Sequence, residues 1–401
     1  LKASVIIPAY NAAERLYLNL VALNRQNISG DDVEVIVVDN GSHDNTQEML
    51  KSFALKYPLI TVRVEKNRGI AYGRNQGILK AQGDVLIFHD SDMIASSDFI
   101  EKHLNYHEAG YDVVCGLFWK RIYTFFYSGF SRQQLEDFKK YGLSYSPQIN
   151  TKATGPIQLL SEEQVKEDRL EEYSFDLDLA FIKDLKMTLD RHGSTFSDYY
   201  LPWRFFITNN LSVKRQKVFN VGLFDEKIVR YGYEDYDLGI RLYKTGSKFV
   251  FAEDIVSLHQ EHPANYNYKD VFENILYICD KYNNIYFLDV LLVCLNDVLK
   301  IDFGEMNLIM GDYYRLLAMK PYVFLAELVI SLLQMAKTLH FKPGEALPVS
   351  RIKEITADIP RIIRKARTLL YDYHLSHFVR LLAHVLNITL HIDLLPSLGI
   401  S

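Results

Sequence analysis

Along the first 120 residues, short apolar runs alternate with longer stretches of helical spacing. Residues 3–9 (ASVIIPA), 33–39 (VEVIVVD), 84–89 (DVLIFH) and 112–118 (DVVCGLF) are apolar nearly throughout and rich in β-branched side chains. That pattern predicts strands buried on both faces. Residues 14–27, 46–57, 71–81 and 98–109 lie between them and predict helices. Asp44, followed three residues later by Gln47, predicts a capping box at the start of the second helix. The alternation implies an α/β fold, Rossmann-like, with a mostly parallel sheet and helices on both faces. Sheets of this kind bind ligands outside the carboxyl ends of their strands. Polar clusters stand at those ends: Pro8-Ala9-Tyr10-Asn11, Asp39-Asn40-Gly41-Ser42 and His89-Asp90-Ser91-Asp92.

Residues 120–200 break the rhythm. They hold an aromatic patch (119–130), a loop around Thr154-Gly155-Pro156 and a charged helical stretch (161–173), and read as an insertion over the sheet. The βα alternation returns near Trp203, with strand-like residues 205–208, a helix over 234–244, and strand-like residues 248–252 and 255–259. From about residue 266 the spacing is helical only: 267–283, 285–301, 305–319, 322–340 and 351–374, with Pro343, Pro348 and Pro360 as punctuation. The expected domains are 1–265, α/β, and 266–401, all-helical.

Composition narrows the function. With 401 residues, 48% of them apolar and 24% charged, the chain has enough interior for two or three domains. A net charge of −5 offers no basic field for nucleic acid. Three scattered cysteines, Cys115, Cys279 and Cys294, suit neither a disulfide framework nor a zinc site and fit a reducing, cytoplasmic setting. The most apolar stretch, 321–336, is interrupted by Glu327, so no transmembrane helix is expected. The chain opens on Leu1 with a strand-like run almost at once, as expected of one that has lost an N-terminal extension. No G-x-x-x-x-G-K-[ST] occurs, and no G-x-G-x-x-G follows a strand, which argues against a P-loop NTPase and a dinucleotide oxidoreductase. Gly69, Gly73 and Gly77 instead form a stripe that allows close helix–sheet approach.

Four constellations carry candidate chemistry. Asp90-Ser91-Asp92 follows an apolar strand, and residues i and i+2 of an extended segment point the same way. Two carboxylates so placed call for a cation such as Mg²⁺ or Mn²⁺; the plain alternative is a solvated turn. Asp39 at its strand end can accept a bond from a nucleobase imide or a ribose hydroxyl, or simply cap a turn. Tyr231-Gly232-Tyr233-Glu234-Asp235 sets acids at a helix start, where Asp235 is a candidate general base and dipole complementarity is the alternative. His259-Gln260-Glu261-His262-Pro263 follows a strand; one histidine there can complete a metal site, and a pair of surface histidines is the alternative.

Taken together, VIIPAYN, VIVVDNGSHDNT, NRGIAYGRNQG, DSD, NNLSVKRQKVFNVGLFDE, GYEDYDLGIRLYKTG and VSLHQEHP resemble, in order, the inverting family 2 glycosyltransferases of GT-A fold. The resemblance spans about residues 3–265 and is nearest in motif style to bacterial polysaccharide and chondroitin-polymerase modules. It implies a Mn²⁺- or Mg²⁺-dependent transfer of a sugar from a nucleotide-sugar donor, by default a UDP-sugar, to a hydroxyl of a glycan, cell-surface polymer or protein. Residue by residue, it implies that Pro8, Ala9 and Tyr10 wall the nucleobase and that Asp39 bonds the uracil. Asn67 and Gly69 would lie beside the nucleotide, and Arg74 would approach the diphosphate or hold the strand end near it. Asp90, with Ser91, would contact the ribose or donor sugar, and Asp92 the metal. Asp235 would be the catalytic base, Glu234 its acceptor-positioning neighbour, and His259 the added metal ligand, with His262 the alternative. Trp203 would stack on an acceptor sugar, or else be a core aromatic.

Two other readings compete. A non-catalytic nucleotide-sugar-binding or partner-binding relative would be expected to lose DSD or GYED. A sugar nucleotidyltransferase needs a Gly-rich, Arg-containing loop after the first strand, which PAYNAAERL lacks. In the tail, Arg351, Lys353, Arg361, Arg364, Lys365 and Arg367 flank an apolar side, so the segment is either a solvated basic face, a peripheral membrane contact at the inner face, or a homo-oligomer surface.

Overall fold

The computed structural model describes residues 1–142, 149, 155–263 and 267–399. Thr154 of the expected 154–156 loop and the expected 265/266 domain boundary fall outside the described residues. The chain divides into two compact units: one of residues 1–197 and 202–268, the other of residues 198–201 and 269–401.

The first unit opens with β1 (Ala3–Ala9), α1 (Ala13–Leu23), β2 (Val33–Asn40), α2 (Thr46–Ser52), β3 (Leu59–Val64), α3 (Ile70–Lys80) and β4 (Val85–His89). After β5 (Met93–Ala95), α4 (Phe99–Glu108), β6 (Val113–Leu117) and β7 (Lys120–Ile122) come the short strands β8 (Phe125–Phe126), β9 (Ile157–Gln158) and β10 (Phe175–Asp176), with α5 (Arg132–Tyr141) and α6 (Glu162–Lys166) among them. The unit ends with α7 (Ala180–His192), β11 (Asn210–Lys214), α8 (Arg215–Val221), α9 (Glu234–Lys244) and β12 (Phe249–Gln260). The main sheet runs β10-β7-β12-β6-β11-β4-β1-β2-β3, with β5 added to β12. The β3-β2-β1-β4 and β6-β12-β7 pairings are parallel; β11 is antiparallel to both β4 and β6. Ala9 lies opposite Asp39, and Ile6 opposite Phe88, so the carboxyl ends of β1, β2 and β4 share one edge.

The continuous apolar runs are explained by cover on both faces. Odd-numbered residues of β1 (Val5, Ile7) and β2 (Val35, Val37) pack with Leu16 and Leu20 of α1 and Phe99 of α4. Even-numbered Ile6 and Val38 face α3, where a Cβ on Gly77 would stand 2.6 Å from Ile6 Cγ2. That contact requires glycine. Gly69, by contrast, is not on the helix stripe: it is the N-cap of α3 at φ +91°, and a Cβ there would lie 2.3 Å from the Val229 carbonyl oxygen.

Several local expectations give way. Residues 205–208 are not a strand. Phe206 N–H bonds the Trp203 carbonyl (3.1 Å) and Ile207 N–H that of Phe205 (2.9 Å), so these amides are taken locally and the ladder begins at Asn210. The predicted capping box does not form: Asp44 accepts from Thr46 N–H (3.1 Å) and Ala13 N–H (3.1 Å), while Asn45 is the N-cap. The strand-like segments 248–252 and 255–259 are one strand, β12, with a bulge between Ala252 and Val256. The 120–200 segment does not merely cover the sheet. Its β7 and β10 extend the sheet edge, and Tyr123, Phe126, Phe130, Phe138 and Phe175 build an aromatic core of their own.

The second unit holds α10 (Tyr268–Lys281), α11 (Leu288–Cys294), α12 (Asn296–Leu299), α13 (Phe303–Leu317), α14 (Val323–Phe341), α15 (Val349–Tyr371), α16 (Ser376–Leu390) and α17 (Leu395–Leu398). Buried Leu325, Val329, Leu332, Phe378, Leu382 and Leu386 supply its core. Pro360 does not punctuate; it lies inside α15 on an exposed position. Residues 320–341 are long and apolar enough to cross a bilayer despite Glu327, and 61% of their most apolar 18-residue window is buried within the fold. Ile355, Ile362, Ala366 and Leu369 of α15 are buried, leaving Lys353, Arg361, Arg364 and Arg367 exposed. The three cysteines are free and buried.

Candidate functional site

The carboxyl edge of the sheet gathers charged side chains from distant segments. Arg74, on α3, is 2% exposed. Its Nη1 donates to Glu234 Oε1 at 2.8 Å and its Nη2 to Asp90 Oδ1 at 3.0 Å. One guanidinium thus joins the end of β4 to the start of α9 in fork geometry. Glu234 also accepts the Gly232 amide at 3.0 Å, which ties the GYED turn to the same cation. Tyr233, at φ +71°, forms the N-cap of α9 and sets Glu234 and Asp235 in its first turn.

Asp235 is half-buried beside this bridge. Burial pushes its carboxyl up to about 8, and the charges of Glu234 and Asp90 add to that; Arg74 and the Tyr236 amide (2.8 Å) oppose it. Asp90 is also pushed up by burial, opposed by Arg74.

The DSD segment is a turn rather than an extended strand, because Met93 N–H bonds the Asp90 carbonyl at 3.1 Å. The expected convergence of both carboxylates on one ion therefore gives way to a division. Asp90 faces the Arg74 cation. Asp92 faces the end of β12, where Gln260 N–H bonds the Asp92 carbonyl at 2.7 Å and β5 pairs with β12. Asp92 Oδ2 lies 2.9 Å from His262 Nε2 and 3.6 Å from His259 Nε2. One ligand atom from each of the three residues falls within 4.8 Å of the others, so both histidines of the HQEHP segment reach the site, and the set fits a metal ion. Burial would raise the Asp92 carboxyl, but His259, His262 and Arg15 outweigh it and hold it well below the carboxylate range.

At the β1 and β2 ends, Asp39 is buried, accepts the Ser42 amide at 2.9 Å and pairs with Arg63 of β3. Asn67 Oδ1 accepts the Gly69 amide (2.9 Å) and an Asn40 side-chain N–H (3.2 Å), which fixes the loop before α3. Pro8 and Ala9 are buried and Tyr10 is 45% exposed at the mouth of the strands. Ser91 is half-buried in the turn. Trp203 is a correction: it is 1% exposed and packs edge to face on Tyr236 at 5.4 Å, so it offers no face to a sugar.

The motifs do not single out Arg63, Arg15, Glu261 or Asn19, which the fold brings to the site. Arg63 sits on β3, whose LITVRV alternation was a readable strand signal. Arg15 lies one turn beyond the PAYN loop; its Nη2 donates to the Asn11 carbonyl at 3.4 Å. Asn19 donates to the Asp90 carbonyl (2.9 Å) and to His89 Nδ1 (3.1 Å), holding the strand end from α1. No sequence spacing announces these last contacts.

The Glycosyl transferase family 2 profile matches residues 4–167. A Bacillus subtilis (strain 168) protein described as the uncharacterized glycosyltransferase YfnE is 46% identical over 396 residues, 98% of each chain. An Escherichia coli chondroitin synthase is 26% identical over 67% of this chain, which spans 36% of that longer protein. Among solved structures, S. aureus TarS residues 1–349 in complex with UDP-GlcNAc superposes with a TM-score of 0.49 at 16% identity, covering 84% of this chain and 88% of that one. The sheet order and the family motifs agree on a GT-A architecture, and the near full-length match settles kinship: the chain belongs to glycosyltransferase family 2.

Proposed function

We propose that the protein is a divalent-ion-dependent, inverting hexosyltransferase that moves a sugar from a UDP-sugar to a hydroxyl of a glycan, polymer or protein. The observation that carries this reading is the Arg74 bridge, which brings Asp90 and Glu234 together with Asp235 beside them. The acceptor hydroxyl would attack the anomeric carbon in line while Asp235 takes its proton. The nucleoside diphosphate leaves from the opposite face, and the configuration inverts. A positioned base of this kind contributes roughly 10²–10⁴ in rate. Glu234, fixed by Arg74 and the Gly232 amide, would orient the acceptor. Pro8, Ala9, Tyr10, Asp39, Asn67 and Gly69 would form the nucleotide side, with Asp90 and Ser91 toward the ribose or sugar. Asp92 and His259, with His262, would hold Mn²⁺ or Mg²⁺. When bound, such an ion supplies positive charge that offsets the charge gathering on the departing diphosphate.

The test is incubation with a panel of sugar nucleotides and Mn²⁺, followed by assay for free nucleoside diphosphate and by NMR of the product anomer. Release of UDP with an inverted product is expected. Release of pyrophosphate, or a retained configuration, overturns the reading.

A further inference from the structure

We propose that Glu261 is a positioning residue for His259, and that with His262 it makes a two-imidazole, one-carboxylate site selective for a first-row transition ion over Mg²⁺. The inference rests on the divalent-ion reading above. It goes further by adding a second imidazole, a residue behind the first, and the class of ion.

The argument starts from which ring nitrogens are already engaged. His262 Nδ1 lies 3.0 Å from the Pro263 carbonyl oxygen. That oxygen only accepts, so Nδ1 carries the proton. A neutral ring then presents a bare lone pair at Nε2, the atom 2.9 Å from Asp92 Oδ2. His259 repeats the arrangement. Its Nε2 faces the same carboxylate oxygen at 3.6 Å. Its Nδ1 is buried without a hydrogen-bond partner, and Glu261 Oε1 stands 3.2 Å away as an available acceptor. A protonated His262 donates from Nε2 to Asp92; once both rings are neutral, a carboxylate and two imidazole lone pairs converge instead. A shared cation satisfies all three.

Glu261 is well placed to orient the ring. Its backbone amide bonds the Ile122 carbonyl of β7 at 2.8 Å, and Arg121 Nη1 approaches its Oε1 at 3.5 Å. A carboxylate behind a metal-bound imidazole fixes its tautomer and raises its basicity, and loss of such a partner costs about 10–100-fold in metal affinity. The donor set then sets the preference. Mg²⁺ favours an all-oxygen, heavily hydrated shell, whereas imidazole nitrogen favours transition ions, in the order Mn²⁺ < Co²⁺ < Ni²⁺.

The test uses the full chain, with Mn²⁺ binding followed by EPR and Co²⁺ binding by its visible spectrum. About a hundredfold excess of Mg²⁺ is expected to displace less than half of the bound Mn²⁺. Glu261→Ala is expected to raise the Mn²⁺ Kd about 10–100-fold. Glu261→Gln should recover part of that, because the amide oxygen still accepts from Nδ1. His262→Ala should shift the Co²⁺ bands through loss of one nitrogen ligand. Wild-type affinity in both Glu261 variants would overturn the positioning role, and half-displacement by equimolar Mg²⁺ would overturn the selectivity; either result leaves the divalent-ion reading standing. Undiminished Mn²⁺ binding in Asp92→Asn, or none in the wild type, removes that reading itself.

Discussion

Replacing Arg74 with methionine isolates the central bridge. Methionine keeps an unbranched apolar stem and deletes the charge, its two bonds and the guanidinium's place over the Phe224 ring, whose centroid is 5.5 Å from the guanidinium carbon. Glu234, with a side chain 4% exposed, loses a 2.8 Å ion pair and keeps only the Gly232 amide. Removing one partner of a buried pair costs about 3–5 kcal/mol. The Asp90 side chain is 25% exposed, so its 3.0 Å arm adds at most about 1 kcal/mol. The expected loss is therefore about 3–5 kcal/mol for the first unit. Both tryptophans of the chain, Trp119 and Trp203, are buried in that unit, so urea unfolding read by tryptophan fluorescence reports it selectively. Arg74→Lys should lose less, since a point charge replaces a fork. Adding Glu234→Gln to Arg74→Met should restore at least about 1 kcal/mol, because the carboxylate left bare is removed. A loss below about 1 kcal/mol in Arg74→Met, or strict additivity in the double variant, would refute the claim that one guanidinium holds these segments together.

Asp235→Asn should cut turnover at least about a hundredfold with nucleotide affinity retained, measured by product formation and by calorimetric titration with UDP. Because the Asp235 carboxyl is pushed up to about 8 and must be ionised to accept a proton, kcat should climb between pH 6 and 8 and level off above. A carboxyl raised in the folded state contributes stability that is present below about pH 4 and lost as pH rises through about 8; Asp235→Asn should flatten that slope in the urea midpoint. Asp92→Ala, like chelation of the wild type by EDTA, should abolish metal-dependent turnover, with added Mn²⁺ restoring only the wild type. Gly77→Val drives a side chain toward Ile6 Cγ2, 2.6 Å from the Cβ position, and should lower stability by about 1–3 kcal/mol in the same fluorescence assay.

The strands at 3–9, 33–39, 84–89 and 112–118 were legible because cover on both faces makes them uniformly apolar, and the structure keeps each within a residue of those bounds. β3 is less legible although its alternation is regular, since an edge strand exposes every second side chain and looks less like its buried neighbours. At the site, the motifs announced which acids to watch but not who faces whom. The partition of Asp90 to Arg74 and Asp92 to the histidines depends on a tight local turn at 90–93 and on the pairing of β12 with β5, neither of which shows as a hydrophobic period. Trp203 shows the converse. Its sequence left both acceptor stacking and a core role open, and the one-turn helix Pro202–Phe205 holds it buried.

The bulge between Ala252 and Val256 has a mechanical corollary. One continuous strand is both a member of the central sheet and the rail that delivers His259 to the turn bearing Asp92. Side chains on a strand alternate sides, so inserting or deleting a single residue downstream of the bulge would send the imidazole to the far side. The length of this stretch is thus a setting of the site in its own right, as consequential as the identity of any residue within it.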